Sequence, residues 1–358
     1  MRNDVKLDVI ETVELRKLAN LRGSNFVSIY LPFDYTGSAH AKERKKLKTM
    51  LLRAEKQLQD KGLKDKEIDD ILSYHRSLIA SDFFWSDGGA GLAILATEEK
   101  QYTYRLTAPV SESLYVGHRF YLKPLISLSG QDDNFHVLTV NMKKPQLFEC
   151  SMLHCQKIEN VSLPVPPEEY FPGDKHVSQP PAKARYITDL AQELHKLYAS
   201  KDRKLILVGL GQHVGPLKEV LDLPNIKVEA IERNSEELSP QEIQKIALDT
   251  IEDNRKTMQK KYLQDFHNAK NSNRSTASVK EVLLGAKDGR VATLFIADEV
   301  QLWGQVLEDR SLRTNVEKES GEDLLDLAAV ETLLHDGEVI TMSRDEVPGG
   351  TMAAILRY

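Results

Sequence analysis

FVSIYLPF (Phe26–Phe33), followed shortly by AKERKKLKTMLLRAEKQLQ (Ala41–Gln59), decides the fold class. The first run is rich in β-branched and aromatic residues and closes at Pro32, the pattern of a buried strand. In the second, Leu47, Met50, Leu51, Ala54 and Leu58 recur at i, i+3, i+4, i+7 and i+11. That spacing predicts an amphipathic helix with its apolar stripe on the strand and its Lys/Arg residues facing away. A strand handing over to an amphipathic helix is the unit of a layered α/β protein.

Working outward, Leu15, Leu18 and Leu21 share a helical face that stops at Arg22-Gly23-Ser24-Asn25. A second helix is expected over 66–80, through Ile68, Ile71, Leu72, Leu78 and Ile79. Ser86-Asp87-Gly88-Gly89 turns into the strand GLAILAT, and TYRLTAPV and SLYVGHRFY complete a sheet. A central segment opens with FHVLTVN and QLFECSML, two arms of a hairpin. Residues 164–183 then hold six of the fourteen prolines, which predicts a long, partly extended loop of the functional or mobile kind. A helix from Ala184 to Tyr198, the strands KLILVGL and IKVEAIE, and a long helix with Pro240 at its first position follow. After the polar stretch NAKNSNRSTAS, the last segment alternates helix and strand around a charged loop at 308–322. The expected division is 1–131, 132–270 and 271–358, each α/β, and the βα alternation argues for largely parallel sheets.

At 358 residues, 41% hydrophobic and 28% charged, the chain suits several folded domains rather than a disordered or disulfide-rich protein. No apolar run approaches the ~20 residues a membrane span needs, and the N-terminus has no apolar leader core, so a cytoplasmic protein is expected. Cys150 and Cys155 are expected as reduced thiols. With His154 they lack the second ligand pair of a zinc site, so neither metal nor cofactor is expected. Gly209-Leu210-Gly211-Gln212 has neither phosphate-loop spacing and reads as a strand-to-helix turn. The histidines form no legible catalytic arrangement. The net charge of −6 conceals two basic stretches: residues 40–66 carry ten Lys/Arg against four acids, and residues 254–274 carry six against Asp265. Each is either a solvated helix face or a surface for phosphates.

The order of segments resembles a known family. Residues 18–35 (LANLRGSNFVSIYLPFDY), the basic helix at 41–59, the strands at 91–97 and 102–109, and SLYVGHRFY at 113–121 are similar to the N-terminal domain of archaeal and eukaryotic class I release factors. Residues 134–150 look like the opening of that family's central domain. Residues 279–297 and 324–358 look like its C-terminal domain, an α/β/α fold shared with kink-turn-binding ribosomal proteins. The ending EVITMSRDEVPGGTMAAILRY is especially similar to the bacterial, Balon-like branch of this release-factor/Pelota superfamily. The chain departs from the release factors at their chemistry. The loop PVPPEEYFPGDKHVSQPPAK (164–183) has no Gly-Gly-Gln, and no Asn-Ile-Lys-Ser stands between the first helices. The Tyr-x-Cys-x-x-x-Phe signature has become Tyr115-Val116-Gly117-His118-Arg119-Phe120.

The resemblance therefore implies a ribosome-binding factor of release-factor architecture, occupying the A site in rescue or hibernation, without stop-codon decoding or peptide release. A translational GTPase such as elongation factor Tu is the implied delivery partner, and a monomer fits the A site. Candidate rRNA contacts are Lys42, Arg44, Lys45 and Lys48 on the basic helix, and His118 and Arg119, with Tyr121 beside them, after the last strand of the first segment. In the central loop they are Lys175, His176, Lys183 and Arg185. Two alternatives stay open: a peptidyl-tRNA hydrolase or nuclease using His176 or Gln179, and an RNA- or protein-binding regulatory module outside translation.

Overall fold

The computed structural model describes residues 10, 12–33, 40–86, 89–129, 134–140, 144–152, 154–166, 180–199, 204–223, 226–236, 238–317 and 321–358. They form two compact units: residues 1–131 join 257–358 in one, and 132–256 make the other. The first and last thirds of the chain thus fold together.

The first unit begins with α1 (Thr12–Ala19), β1 (Phe26–Pro32), α2 (Ala41–Asp60), α3 (Asp65–Leu78), α4 (Asp82–Ser86), β2 (Gly91–Ala96), β3 (Gln101–Leu106), β4 (Ser113–Gly117) and α5 (Lys123–Leu128). Its sheet has the order β3-β2-β1-β4, and every pairing is antiparallel. Alternate residues of β1 feed two cores, as the two-residue repeat of a strand requires. Val27, Ile29 and Leu31 face the stripe Leu47, Met50, Leu51, Ala54 and Leu58 of α2. Phe26 and Tyr30 face the other way, into a core shared with α1, α5 and residues of the last third.

The second unit contains β5 (Asn134–Val140), β6 (Gln146–Ser151), β7 (Cys155–Lys157), α6 (Pro180–Tyr198), β8 (Leu205–Gly209), α7 (Gly211–Val220), β9 (Val228–Glu232) and the start of α8 (Pro240–Lys270). Its sheet order is β7-β6-β5-β8-β9; β5, β8 and β9 run parallel, and β6 and β7 are antiparallel. Leu205 and Leu207 of β8 pack with α6 and α7, whereas Ile206 and Val208 pack with Ile243 and Ala247 of α8. The result is a three-layer α/β/α unit. Ser239 and Glu242 cap α8 reciprocally: the Ser239 N–H donates to Glu242 Oε2 at 2.8 Å, and the Glu242 N–H donates to Ser239 Oγ at 3.3 Å.

The first unit is completed by β10 (Ser275–Thr276), α9 (Val279–Lys287), β11 (Val291–Ala297), β12 (Trp303–Val306), β13 (Leu312–Thr314), β14 (Glu322–Asp323), α10 (Leu324–Leu334), β15 (Glu338–Met342) and β16 (Met352–Leu356). One sheet has the order β10-β16-β11-β15 and a smaller one β13-β12-β14. Phe266 from the end of α8 packs on Phe295, Met342 and Ala353.

Several expectations need correction. The sheets are not largely parallel: among the described residues only β5–β8, β8–β9 and β11–β15 pair in parallel, while short turns close the antiparallel pairs β2–β3, β5–β6, β6–β7 and β12–β13 and longer connections bring the other antiparallel partners together. The strand expected over 113–121 stops at Gly117, where Phe120, Tyr121 and Leu122 leave the sheet for the core. The charged loop at 308–322 contains β13 and the first residue of β14. The central helix starts at Pro180 rather than Ala184, since proline suits a first turn that has no intrahelical partner for its N–H. Cys150 and Cys155 are not free thiols. They are opposed residues across β6–β7 and are joined as a disulfide.

Candidate nucleic-acid interface

Helix α2 carries seven Lys/Arg against three acids. Its buried stripe holds it on the sheet, so its charges divide by geometry into spoken-for and presented groups. Lys42, Lys45 and Lys48 are exposed, one turn apart or less, on the solvent face. Arg44 is half-buried: its Nη2 donates to Asp82 Oδ1 at 2.6 Å, its Nη1 donates to the Ile79 carbonyl at 3.3 Å, and its guanidinium lies 5.8 Å from the Trp85 ring centre. It ties α2 to α4 rather than standing free. Lys46 pairs loosely with Glu112 at 3.8 Å. The second basic stretch is part of α8, where Arg255 and Lys256 share Glu252 at 2.7 and 3.7 Å. Lys260, Lys261 and Lys270 are exposed.

The candidates after β4 separate completely. His118 is exposed. Arg119 is only 6% exposed, and its Nη2 pairs with Glu322 at 3.1 Å and with Asp326 at 3.2 Å. Burial works against the Arg119 cation, but Asp326 and Glu322 together raise its pKa. Asp326 is buried in α10, and its Oδ1 also accepts from the backbone N–H groups of Leu122 (2.7 Å) and Lys123 (2.6 Å). Burial pushes its carboxyl up to about 6 despite Arg119. Desolvation therefore exceeds what the pairing returns, the usual balance for a buried ion pair.

Around this centre Tyr121 donates to Asp323 Oδ2 at 3.1 Å, and Tyr30 donates to the Tyr121 carbonyl at 2.5 Å. Asp323 caps α10 by accepting from the Leu325 N–H at 3.1 Å. The Lys123 ammonium donates to the Val300 carbonyl, and burial lowers its pKa. Arg119 and Tyr121 thus serve a buried polar centre inside the first unit, a use that differs from the surface contacts expected of them. The signal was present in the sequence: Asp323 caps, and Asp326 interrupts, the apolar run LLDLAAV that opens α10, and an acid within such a run requires buried partners.

Of the central-loop candidates, Lys175 and His176 lie outside the described residues, as does Gln179. Lys183 falls in the first turn of α6, and Arg185 is exposed on the same helix. Among the described residues no group of His, Cys, Asp and Glu side chains is arranged to hold a metal ion, and no helix is long and apolar enough to cross a membrane.

Residues 134–290 match the family model of bacterial archaeo-eukaryotic release factor family 3. Among solved structures, the chain is similar to a ribosome-bound archaeal Pelota seen together with ABCE1 (12% identity, 99% of this chain and 96% of that one, TM-score 0.42). It is also similar to Dom34 of S. cerevisiae, a translation termination-like factor (14% identity, 72% and 74%, TM-score 0.39), and to Pelota of Archaeoglobus fulgidus (16%, 75% and 79%, TM-score 0.32). No curated protein matches the chain.

Proposed function

We propose that this chain, whose residues 134–290 match the family model of bacterial archaeo-eukaryotic release factor family 3, is a member of the release-factor/Pelota superfamily that binds the ribosomal A site in rescue or hibernation without releasing peptide. One observation carries the reading: a release-factor segment in a chain that contains no Gly-Gly-Gln anywhere. Peptide release needs a group that guides water to the peptidyl-tRNA ester, and the family's group for that task is missing.

Lys42, Lys45 and Lys48 support the proposal, because a row of exposed ammonium groups on a rigid helix can neutralise successive rRNA phosphates. A protein of net charge −6 needs such a local surface to approach RNA. Arg44 would act indirectly, by fixing α2 against α4. Delivery by a translational GTPase, action as a monomer and residence in the cytoplasm belong to the same proposal.

The test is pelleting of the purified chain with 70S ribosomes across a salt series, with and without an A-site tRNA competitor. Salt-sensitive binding that the competitor displaces is expected. Absence of binding at low salt would remove the proposal.

A further inference from the structure

The chain has two cysteines, and the pairing of β6 with β7 brings them together. Cys150 and Cys155 are five positions apart and directly opposed, joined as a disulfide. The neighbouring pair, Ser151 and His154, closes the hairpin on its own. The Ser151 N–H donates to the His154 carbonyl at 2.7 Å, and the His154 N–H donates to Ser151 Oγ at 3.2 Å. The Gln244 amide of α8 donates to the Ser151 carbonyl at 2.7 Å. Next to a hydrogen-bonded pair, an antiparallel ladder brings the side chains of the following opposed pair closest together. Strand pairing therefore keeps the two sulfurs within reach, bonded or not.

The bond itself adds little to the fold. Disulfide stabilisation grows with the loop that is closed, and this loop is about as short as a hairpin allows. The second unit has a core on each face of its sheet, unlike the small domains that depend on cross-links. Access to the two sulfurs is unequal. Cys150 is fully buried in the core of Phe148, Ile206 and Val208, where a thiol packs as a small apolar group. Cys155 is partly exposed on β7, a three-residue edge strand paired on one side only among the described residues. A reagent in solvent reaches the Cys155 sulfur first.

We propose that Cys150 and Cys155 form a reversible dithiol–disulfide site, which exchanges with low-molecular-weight thiols at Cys155 and uses Cys150 as the resolving partner. In reduction, the thiolate of a small monothiol attacks the Cys155 sulfur. A new S–S bond joins the reagent to Cys155, the protein S–S bond breaks, and Cys150 leaves as a thiolate that takes up a proton. A second monothiol attacks the reagent's sulfur, which frees the Cys155 thiol and yields the small-molecule disulfide. Two monothiols are oxidised and one protein disulfide is reduced, by two electrons; oxidation runs the same steps in reverse. Reduction leaves β7 held by its ladder to β6 alone, so this edge strand opens more readily. The inference uses only the second unit's own residues and is independent of ribosome binding.

The experiment is incubation of the full chain, without denaturant, in mixtures of reduced and oxidised glutathione of varied ratio, then acid quenching, alkylation of free thiols and intact-mass analysis. A reversible change between no alkylated cysteine and two is expected, with far-ultraviolet circular dichroism unchanged. Hydrogen exchange over residues 155–157 should be about tenfold faster in the reduced form, the scale of freeing so short a loop, and the same in β5 and β8. Cys150→Ala should accumulate the mixed disulfide of Cys155 with glutathione. Cys155→Ala should not, because its remaining thiol is buried. Reduction that requires denaturant, or a chain that stays a dithiol at every ratio, overturns the proposal. So does glutathione addition to Cys155→Ala as fast as to Cys150→Ala, or exchange in β7 that ignores the redox state. Because no ribosome is present, that failure is separate from failure of the A-site reading.

Discussion

Replacing Asp326 distinguishes the value of its charge from the value of its shape. Its Oδ1 answers two buried backbone N–H groups at 2.7 and 2.6 Å, and its Oδ2 meets Arg119 at 3.2 Å. Asp326→Ala removes all three contacts, leaves two buried donors without an acceptor, and strips Arg119 of its most buried partner. Removing one member of a buried pair costs about 3–5 kcal/mol. Asp326→Asn keeps a carbonyl for both backbone donors but replaces the Oδ2 acceptor facing Arg119 with an amide donor, leaving Glu322 as the guanidinium's ion-pair partner. Burial already pushes this carboxyl up to about 6, so the charge itself returns little. The expected loss for Asn is therefore about 2 kcal/mol, that of the charge-assisted hydrogen bond to Arg119, and smaller than for Ala.

Urea unfolding followed by tryptophan fluorescence reads the right unit, because both tryptophans, Trp85 and Trp303, belong to the first. Equal destabilisation by Asn and Ala would refute the argument, by showing that charge dominates. A loss below about 1 kcal/mol for Ala would show that the two backbone donors find other acceptors, and would refute it equally. The pH dependence adds a sign. The folded-state pKa is raised, so the folded protein binds the extra proton between about 6 and the ordinary 3.8. This group alone makes stability rise as pH falls through that window, and Asp326→Asn abolishes the contribution.

Three further outcomes are expected. His75 is fully buried, with Nε2 3.2 Å from the Thr103 hydroxyl, and burial lowers its pKa to about 4. Its contribution is complete above the ordinary 6.5 and is lost as pH falls toward 4, by about 3 kcal/mol, opposite in sign to Asp326; a pH series of unfolding free energies should flatten on the acid side in His75→Gln. Changing Lys42, Lys45 and Lys48 together to Ala should lower the slope of log affinity against log salt in ribosome pelleting by about 2–3, while the thermal midpoint stays within about 2 °C; an unchanged slope counts against this face. Gly209→Ala should destabilise the second unit by about 2 kcal/mol or more, because a Cβ there would sit 2.5 Å from the Val140 carbonyl oxygen; wild-type far-ultraviolet melting would show that the strands can separate without loss.

Local pattern was legible wherever one period governed a segment. Helix α2 was expected at 41–59 and spans 41–60, and α3 was expected at 66–80 and spans 65–78, because i, i+3, i+4 spacing records which face is buried. The turn at Gly209-Leu210-Gly211 was read correctly as strand into helix. Strand pairing was not legible: the near-continuous apolar run of β1 says that both faces are covered, without saying which strand lies beside it or in which direction. The Cys150–Cys155 bond depended on β6 and β7 pairing in one particular register.

What the sequence by itself determined is the α/β class, the placement of the main helices, the basic face of α2 and the absence of the peptide-release tripeptide. Each follows from residue order within about twenty positions or from a motif present or missing. Only the tertiary structure decided that residues 1–131 and 257–358 share one unit, and that Arg119, written as a surface-type residue, is buried against an aspartate 207 positions away. The reason is physical. A charge's role depends on what surrounds it in space, and so long a stretch of intervening chain leaves no trace of that proximity in the local pattern.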